Sequence, residues 1–141
     1  MNITELRSLT PENIEDLLGL MRELNPELHI TPQMLKMAAE DPATHFFAAI
    51  KDGRIVGTAS LCVSHSPTGR KGGIEDVVVS SKERGKHLGR ALVEHIIGFA
   101  REELSPIQLH LTSRPSREKA NLLYQAVGFT RYETNVYKLE L

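Results

Sequence analysis

The sequence predicts a mixed α/β fold in which helices cover both faces of one sheet, a three-layer α/β/α arrangement. Two helix-start signals follow a first strand-like segment, and Asp52-Gly53 separates two apolar runs as in a hairpin. A β-branched strand at Ile74–Val79 then leads into a long amphipathic helix. The resulting order is β-α-α-β-β-β-α-β-α-β-β. Because 141 residues suit one core, we expect a single domain over residues 1–141.

The N-terminal third of the chain predicts one strand and two helices. Residues 2–7 alternate weakly between polar and apolar side chains, as a strand does. Thr10-Pro11 and Thr31-Pro32 each place a threonine N-cap before a proline at the first helical position. Apolar residues at helical spacing follow both signals, so we expect helices that end near Asn25-Pro26 and Asp41-Pro42.

The middle of the chain predicts three strands. His45–Lys51 and Arg54–Val63 are apolar runs, and the Asp-Gly pair between them is the strongest short hairpin signal. Residues 64–73 are polar and glycine-rich, so we expect a loop. A loop that contacts substrate and a plain connecting loop are equally compatible with this stretch. Ile74–Val79 predicts a buried strand, because consecutive valines fit a pleated surface.

The C-terminal part predicts two helices and three strands. A helix beginning at Leu88 ends before Ser105-Pro106, and Ile107–Thr112 alternates as a strand. A further helix follows, with Gly128 as its C-cap. The two last runs predict a closing hairpin, formed by Phe129–Tyr132 and Asn135–Leu141.

Composition excludes several functional classes. A formal net charge of −1 argues against a dedicated nucleic-acid binder. No apolar run approaches the roughly 20 residues of a membrane span and no signal peptide is recognisable, so we expect a cytoplasmic protein without a membrane partner. The single cysteine, Cys62, is expected to be a buried strand residue rather than a nucleophile. The histidines lack metal-ligand spacing, so we expect no metal.

The chemistry is concentrated in the basic turn, residues 84–90. The first N–H groups of a helix have no partner within the helix, and the dipole there favours negative charge. Arg84, Lys86 and Arg90 add positive charge, while Gly85 and Gly89 let the backbone approach a ligand closely. This pattern predicts a diphosphate site, although a surface turn with solvated basic side chains is the alternative. The glycine patterns of P-loops and of dinucleotide folds are absent.

Two motifs carry a family resemblance. Residues 84–89, read as Arg-Gly-Lys-His-Leu-Gly, resemble the R-x-x-G-x-G pyrophosphate signature of the GNAT superfamily of acetyl-CoA-dependent N-acetyltransferases. His87 departs from it by replacing the first motif glycine; its backbone N–H remains, while its side chain could crowd the phosphates or, if protonated, bond to them. Residues 121–129 resemble the N-x-x-x-L-Y-x-x-x-G-F signature, with the asparagine displaced from its usual place near Arg117.

The resemblance covers nearly the whole chain. Ile74–Val79 is similar to the same segment of glucosamine-6-phosphate acetyltransferases, whereas the size and the chain ending look nearer to small bacterial members such as aminoalkylphosphonate acetyltransferases. The resemblance implies acetyl-CoA as co-substrate and direct attack on it, in a ternary complex, by a primary amine of a small molecule. It also implies that the two N-terminal helices form the acceptor side.

The resemblance also assigns residue roles. The backbone N–H of Val77 would bond the thioester carbonyl, and Val79 would hold the pantetheine chain. Tyr124 would protonate the leaving thiolate, unless it is only a core aromatic. Asn121 would bond CoA, or be solvent-exposed. The residues expected to bind acetyl-CoA are Val77, Val78, Val79, Arg84, Gly85, Lys86, His87, Leu88, Gly89, Arg90 and Asn121.

Glu75 and Asp76 are the candidates for the catalytic base. A free alkyl amine has a pKa near ~10, so the ammonium must lose a proton before it can attack. Strand alternation predicts that the two acids point to opposite faces, so that only one of them can serve; Glu75 is favoured and Asp76 is then structural. Four basic residues flank the same strand ends and could hold an anionic acceptor or be solvated: His65, His110, Arg114 and Arg117.

Two other functions remain open at this point. A protein or peptide N-acetyltransferase would need an open acidic groove. An acyl-CoA-binding module without turnover is the second, and His87 in the phosphate loop is the feature that supports it. The identity of the acceptor and the oligomeric state are left open, with a homodimer among the assemblies considered.

Overall fold

The computed structural model describes residues 1–141 and contains two compact units, Met1–Leu111 and Thr112–Leu141. The second unit contains the helix α4 (Glu118–Ala126). The first unit contains, in chain order, β1 (Asn2–Leu6), α1 (Pro11–Leu24), α2 (Pro32–Glu40), β2 (Thr44–Lys51), β3 (Arg54–Ser66), β4 (Gly69–Val79), α3 (Leu88–Phe99) and β5 (Gln108–His110). The predicted fold class, a mixed α/β fold, is confirmed.

One five-stranded sheet runs through the first unit in the order β1-β2-β3-β4-β5. The strands β1 to β4 pair antiparallel with one another, and β5 pairs parallel to β4. Asp52 and Gly53 have φ values of 50° and 77°, as a two-residue hairpin turn requires, so that prediction is confirmed. The loop predicted at 64–73 is wrong: β3 and β4 stay paired up to Ser66 and Gly69, because backbone pairing at an exposed hairpin end tolerates polar side chains.

The predicted starts of α1 and α2 are confirmed. The Thr10 hydroxyl accepts the N–H of Asn13 at 3.1 Å, and the Asn13 side chain accepts the N–H of Thr10 at 3.0 Å. The Thr31 hydroxyl accepts the N–H of Met34 at 3.2 Å. Each cap satisfies donors that the helix itself cannot satisfy.

The sheet is covered on both faces within the first unit. Phe46 belongs to the apolar cluster beneath α1 and α2, together with Leu17, Leu35 and Val78. The next residue, Phe47, points to the opposite face of the sheet. Its ring centroid lies 5.1 Å from that of His95 and 5.3 Å from that of Phe99, both on α3. The inward face of α3 is buried there through Leu92, Val93 and Ile96. The three predicted layers are therefore present.

Two predictions fail outside this core. Cys62 is exposed rather than buried; of its two cross-strand partners, Thr44 and Gly73, the glycine has no side chain to cover it. Burial of part of the side chain still raises the pKa of the Cys62 thiol, which disfavours a thiolate nucleophile.

The closing hairpin is the second failure. No strand forms after Ala126, and Tyr132, Val136, Tyr137 and Leu139 are all exposed. Alternating apolar residues make a strand only where a neighbouring strand binds the backbone and one face is buried, and neither condition is met in this segment.

Candidate active site

A β-bulge in β4 shapes the centre of the site. Glu75 is paired with Ser60 of β3 and Val78 is paired with Thr58, so two residues of β4 face one residue of β3. Asp76, one of those two, has a φ of 53°, in the left-handed region. Asp is depleted in strands but tolerated in left-handed conformations, and this was the sequence signal for the bulge.

The bulge brings both acids to one face of the sheet. Ser60 and Asp76 line the same pocket, and Glu75 shares the face of Ser60 because directly paired residues project to the same side. The prediction that Glu75 and Asp76 point to opposite faces is therefore wrong, since the extra residue breaks the alternation on which it rested.

Glu75 has a histidine neighbour. A Cβ atom added at Gly73 would lie 3.3 Å from Glu75 Oε1 and 3.4 Å from His110 Nε2, so both side chains lie over that glycine. Burial of part of the side chain and the charge of Asp76 raise the pKa of Glu75, and His110 lowers it in part. Asp76 is exposed as a whole residue, and burial of part of its carboxyl is what raises its pKa.

The pocket beside Asp76, which we call the Asp76 pocket, has a volume of about 120 Å³. It lies between the α1–α2 side and the sheet. Its polar lining consists of Thr58, Ser60 and Asp76. Its apolar lining consists of Met21, Ile30, Met34, Leu35, Ala38 and Phe46. The two hydroxyl residues and Met34 of this site were not singled out in the sequence, because their convergence depends on tertiary packing.

β4 has an open edge next to the bulge. β5 pairs with β4 only from Lys71 to Gly73, although a longer strand was predicted. From Ile74 to Val79 the sheet provides no strand on that side of β4. The side chains of Val77 and Val79 are half-buried, whereas that of Val78 is buried in the α1–α2 cluster.

The basic turn follows β4 after one short helical turn, Ser81–Glu83. Gly85 and His87 both have left-handed φ values, 82° and 59°. His87 occupies the place of the first glycine of the R-x-x-G-x-G signature, and its left-handed φ is a conformation that favours glycine. A Cβ at Gly89 would lie 3.8 Å from Val79, so there is room for a methyl group but little more on that side.

The start of α3 is not capped by a side chain. His87 is the N-cap residue and makes no side-chain capping hydrogen bond, in contrast to Thr10 and Thr31 at the starts of α1 and α2. Arg117, the N-cap residue of α4, also makes no such bond. The first bond of α3 runs from the N–H of Ala91 to the carbonyl of His87 at 3.0 Å. The preceding N–H groups, those of Leu88, Gly89 and Arg90, have no intrahelical acceptor.

Carboxylates hold the cations of the basic turn. Lys86 donates to Glu83 at 2.9 Å, and Lys51 donates to the same carboxylate at 3.0 Å. These two hydrogen bonds lower the pKa of Glu83, which is a buried acid that sequence reasoning did not identify. Arg84 lies 3.5 Å from Glu23, and Arg90 donates to Glu94 at 2.7 Å.

Tyr124 and Asn121 lie on α4, in the second unit. Tyr124 is buried, and its ring centroid is 6.4 Å from that of Phe129. The Asn121 side chain donates to the carbonyl of Arg114 at 3.0 Å, which braces the segment before the helix. The N–H of Arg117 donates to the same carbonyl at 3.0 Å.

The other flanking basic residue, His65, lies at the β3–β4 hairpin end, where its ring accepts from Arg70 at 3.1 Å. The structure thus brings His110 to Glu75 and leaves His65 with Arg70. No group of three or more potential metal ligands is present, and no helix is long and apolar enough to cross a membrane.

Comparison with known proteins decides the family. The sequence model of the Acetyltransferase (GNAT) family matches residues 11–129. This chain belongs to the GNAT family. It is therefore an acetyl-CoA-dependent N-acetyltransferase.

Individual relatives agree with this assignment. The chain is 34% identical over 139 residues to a glucosamine 6-phosphate N-acetyltransferase of Trypanosoma brucei brucei, covering 92% of this chain and 90% of the relative. It is 33% identical over 98 residues to N-acetyltransferase 8 of Rattus norvegicus, of which it spans 44%.

Solved structures share the fold. A Trypanosoma brucei acetyltransferase superposes with a TM-score of 0.74 at 27% identity, covering 99% of this chain and 100% of that one. AAC(6′)-Iy, in complex with the bisubstrate analogue CoA-S-monomethyl-acetylneamine, superposes with a TM-score of 0.78 at 17% identity, covering 99% and 97%. A protein of Agrobacterium tumefaciens strain C58 reaches a TM-score of 0.83 at 24% identity, covering 99% and 100%.

The left-handed backbone at His87 generates a stability prediction. A non-glycine residue in this conformation costs about 1–2 kcal/mol, while glycine adds about 0.5–1 kcal/mol of unfolded-state entropy. His87→Gly should therefore raise the free energy of unfolding by about 0.5–1 kcal/mol, measured by urea denaturation. His29→Gly, at an exposed histidine without a positive φ, is the control and should not stabilise. A destabilised His87→Gly protein would mean that the imidazole makes contacts that outweigh the strain.

Proposed function

We propose that this protein transfers the acetyl group of acetyl-CoA to the primary amine of a small molecule by direct attack. One observation carries the proposal: β4 has an open, bulged edge that leads within a few residues to an uncapped, basic helix start. This arrangement offers backbone groups to an extended amide chain and N–H donors to a diphosphate, the two parts that acetyl-CoA supplies besides its thioester.

The basic turn is proposed to hold the diphosphate. The free N–H groups of Leu88, Gly89 and Arg90 point out of the helix start, where the dipole favours anions. Arg84 and Arg90 are exposed and paired only with surface carboxylates, pairs that are typically worth about 0–1 kcal/mol. A diphosphate could therefore recruit both guanidinium groups at little cost.

Backbone groups of β4 are proposed to hold the pantetheine and the thioester. The N–H of Ser80 donates to the carbonyl of Val56 in β3 at 2.8 Å. Alternation along the strand then directs the N–H groups of Val79 and Val77 to the open edge. The N–H of Val77 is proposed to stabilise the negative charge that develops on the thioester oxygen.

Asp76 is proposed as the base, in place of Glu75. It lines the pocket on the α1–α2 side, whereas Glu75 sits over Gly73 beside His110. The raised pKa of Asp76 brings its basicity nearer to neutral pH, which favours a general base. Glu75 contributes negative charge on the same face, which favours a cationic amine.

The transfer step balances with these groups. Asp76, directly or through water, accepts a proton from the ammonium, and the freed nitrogen forms a bond to the thioester carbon. The carbon–sulfur bond breaks, its electron pair leaves with sulfur, and the hydroxyl of Tyr124 is proposed to donate a proton to that sulfur. The nitrogen loses its second proton as the amide forms, and this proton returns through water to the Tyr124 oxygen, while Asp76 releases its proton to solvent. The family match covers most of both units and supports one catalytic domain over residues 1–141.

The deciding experiment separates enzyme from binding module. Acetyl-CoA binding is measured by calorimetry, and free thiol release is measured against a panel of small amines and amine-bearing peptides. Thiol release with small amines supports the proposal, and turnover of peptides alone would favour a protein acetyltransferase. Binding without release from any amine would favour a non-catalytic acyl-CoA module.

Gly89→Glu should reduce acetyl-CoA affinity at least a hundredfold. The substitution puts a carboxylate and its bulk at the helix start, where the diphosphate is proposed to lie. Gly98→Glu adds the same side chain later in α3, where a Cβ meets no atom within 4 Å, and should leave affinity unchanged. Calorimetry with acetyl-CoA compares the two proteins; equal affinities would place the diphosphate elsewhere.

Asp76→Asn should lower kcat/KM at neutral pH by about 10²–10⁴, the usual contribution of a general base. Asparagine tolerates the left-handed backbone, so the bulge should remain. The deficit should shrink as the pH approaches ~10, where the amine is already neutral. Wild-type activity should fall as the pH falls through the raised pKa of Asp76, since the protonated carboxyl cannot accept a proton.

Glu75→Gln is the matched variant on the adjacent residue. It should lose less than tenfold in kcat/KM at neutral pH, because Glu75 supplies only charge. Thiol-release rates from pH 6 to pH 10 report both profiles. A larger loss in Glu75→Gln than in Asp76→Asn would return the base to Glu75.

Tyr124→Phe should lower kcat by about 10²–10⁴ with little change in acetyl-CoA affinity, because only a transition-state interaction is removed. The phenyl ring keeps its place beside Phe129. Tyr132→Phe makes the same chemical change at an exposed tyrosine and should have no effect. Full activity of Tyr124→Phe in the thiol assay would show that the thiolate leaves without this acid.

A further inference from the structure

The Asp76 pocket has a chemical character that restricts the acceptor. Its apolar lining comes from both N-terminal helices, their connection and β2, and Asp76 is the one charged residue in it. The Thr58 hydroxyl is already engaged, because it donates to the carbonyl of Phe47 at 2.8 Å. The pocket therefore offers hydrocarbon surface and one carboxylate.

This lining does not suit a phosphorylated sugar. No lysine, arginine or histidine lines the pocket, so a phosphate held against this lining would lack cationic partners and would face the carboxylate of Asp76. Sugar hydroxyls would also have few partners, since Ser60 is the one hydroxyl residue in the lining besides Thr58. The lining of this pocket therefore does not match glucosamine 6-phosphate, the substrate in the name of the trypanosomal relative.

We propose that the Asp76 pocket binds the hydrocarbon part of a small alkyl- or arylalkylamine, with the ammonium group held at Asp76. The inference rests on the proposed function, because it names the acceptor class of the same site. A volume of about 120 Å³ is of the order of the apolar cavities that admit benzene. Butyl to hexyl chains and a benzyl group match that size.

A chain-length series tests the class. With the wild-type protein, kcat/KM in the thiol assay should rise about fourfold for each methylene from ethylamine to butylamine, the typical effect of burying one such group. Glucosamine 6-phosphate should be at least a hundredfold poorer than butylamine. Turnover of glucosamine 6-phosphate with no preference between ethylamine and butylamine would overturn the proposal while leaving acetyl transfer intact.

Two exposed methionines of α2 give a matched pair of variants. Met34 lines the pocket and Met37 does not, although the side chains of both are exposed. Met34→Arg places a cation at the pocket and should lower kcat/KM for butylamine at least tenfold. Met37→Arg adds the same charge to the same helix and should stay within twofold of wild type. Equal effects would mean that the amine binds elsewhere.

A binding measurement keeps the inference testable if acetyl transfer itself fails. Saturation-transfer NMR with benzylamine reports contact with the protein without any turnover. A signal in the wild type and in Met37→Arg, lost in Met34→Arg, would support the pocket assignment and show that the proposed function alone is wrong. Absence of the signal in the wild type would overturn the assignment.

Discussion

The arrangement of the site depends on how the backbone of β4 is satisfied. The strand pairs with β3 along almost its whole length, but with β5 over only three residues. Buried backbone N–H and C=O groups need partners, and an edge that lacks them attracts another extended chain. The open edge therefore leaves backbone groups of β4 available to an extended ligand, and the residues that surround it are positioned by the same strand.

The bulge at Asp76 adds a second consequence. It inserts one residue between the pairs Glu75–Ser60 and Val78–Thr58, and so turns two successive acids towards one face. A regular strand would have sent one of them into the layer covered by α3. Both residues remain solvent-exposed, but partial burial raises the pKa of each carboxyl, and the charge of Asp76 adds to the rise at Glu75.

The charges along β4 and α3 are segregated. The acids lie in mid-strand, whereas the cations of the basic turn follow the end of the strand and are held by carboxylates such as Glu83. An anionic donor and a cationic acceptor are thereby favoured at different places along one chain segment. Left-handed backbone also occurs in this segment. Of the three non-glycine residues with a positive φ, Asp76 lies among the acids and His87 lies in the basic turn, while the third, Asp52, is in a hairpin turn.

The amino-acid sequence by itself determined the elements and the family. Thr10 and Thr31 fixed two helix starts, Asp52-Gly53 fixed a hairpin, and the motif at 84–89 indicated the family, because each depends on neighbours within a few residues. Only the tertiary structure decided which way Glu75 and Asp76 point, because a bulge is defined by pairing with a distant strand.

The same distinction explains the remaining differences. The Asp76 pocket joins residues of two helices, their connection and three strands, and Glu83 meets Lys51 across 32 positions of sequence. The alternating pattern of residues 129–141 predicted strands that do not form, and the polar residues 64–73 predicted a loop where strands pair. Both predictions failed because pairing of the backbone decides strand formation more than side-chain pattern does. Helix caps, turns and motifs depend on residues close together in the sequence. Burial of side chains, pairing of strands and their register depend on contacts between segments that are far apart in it.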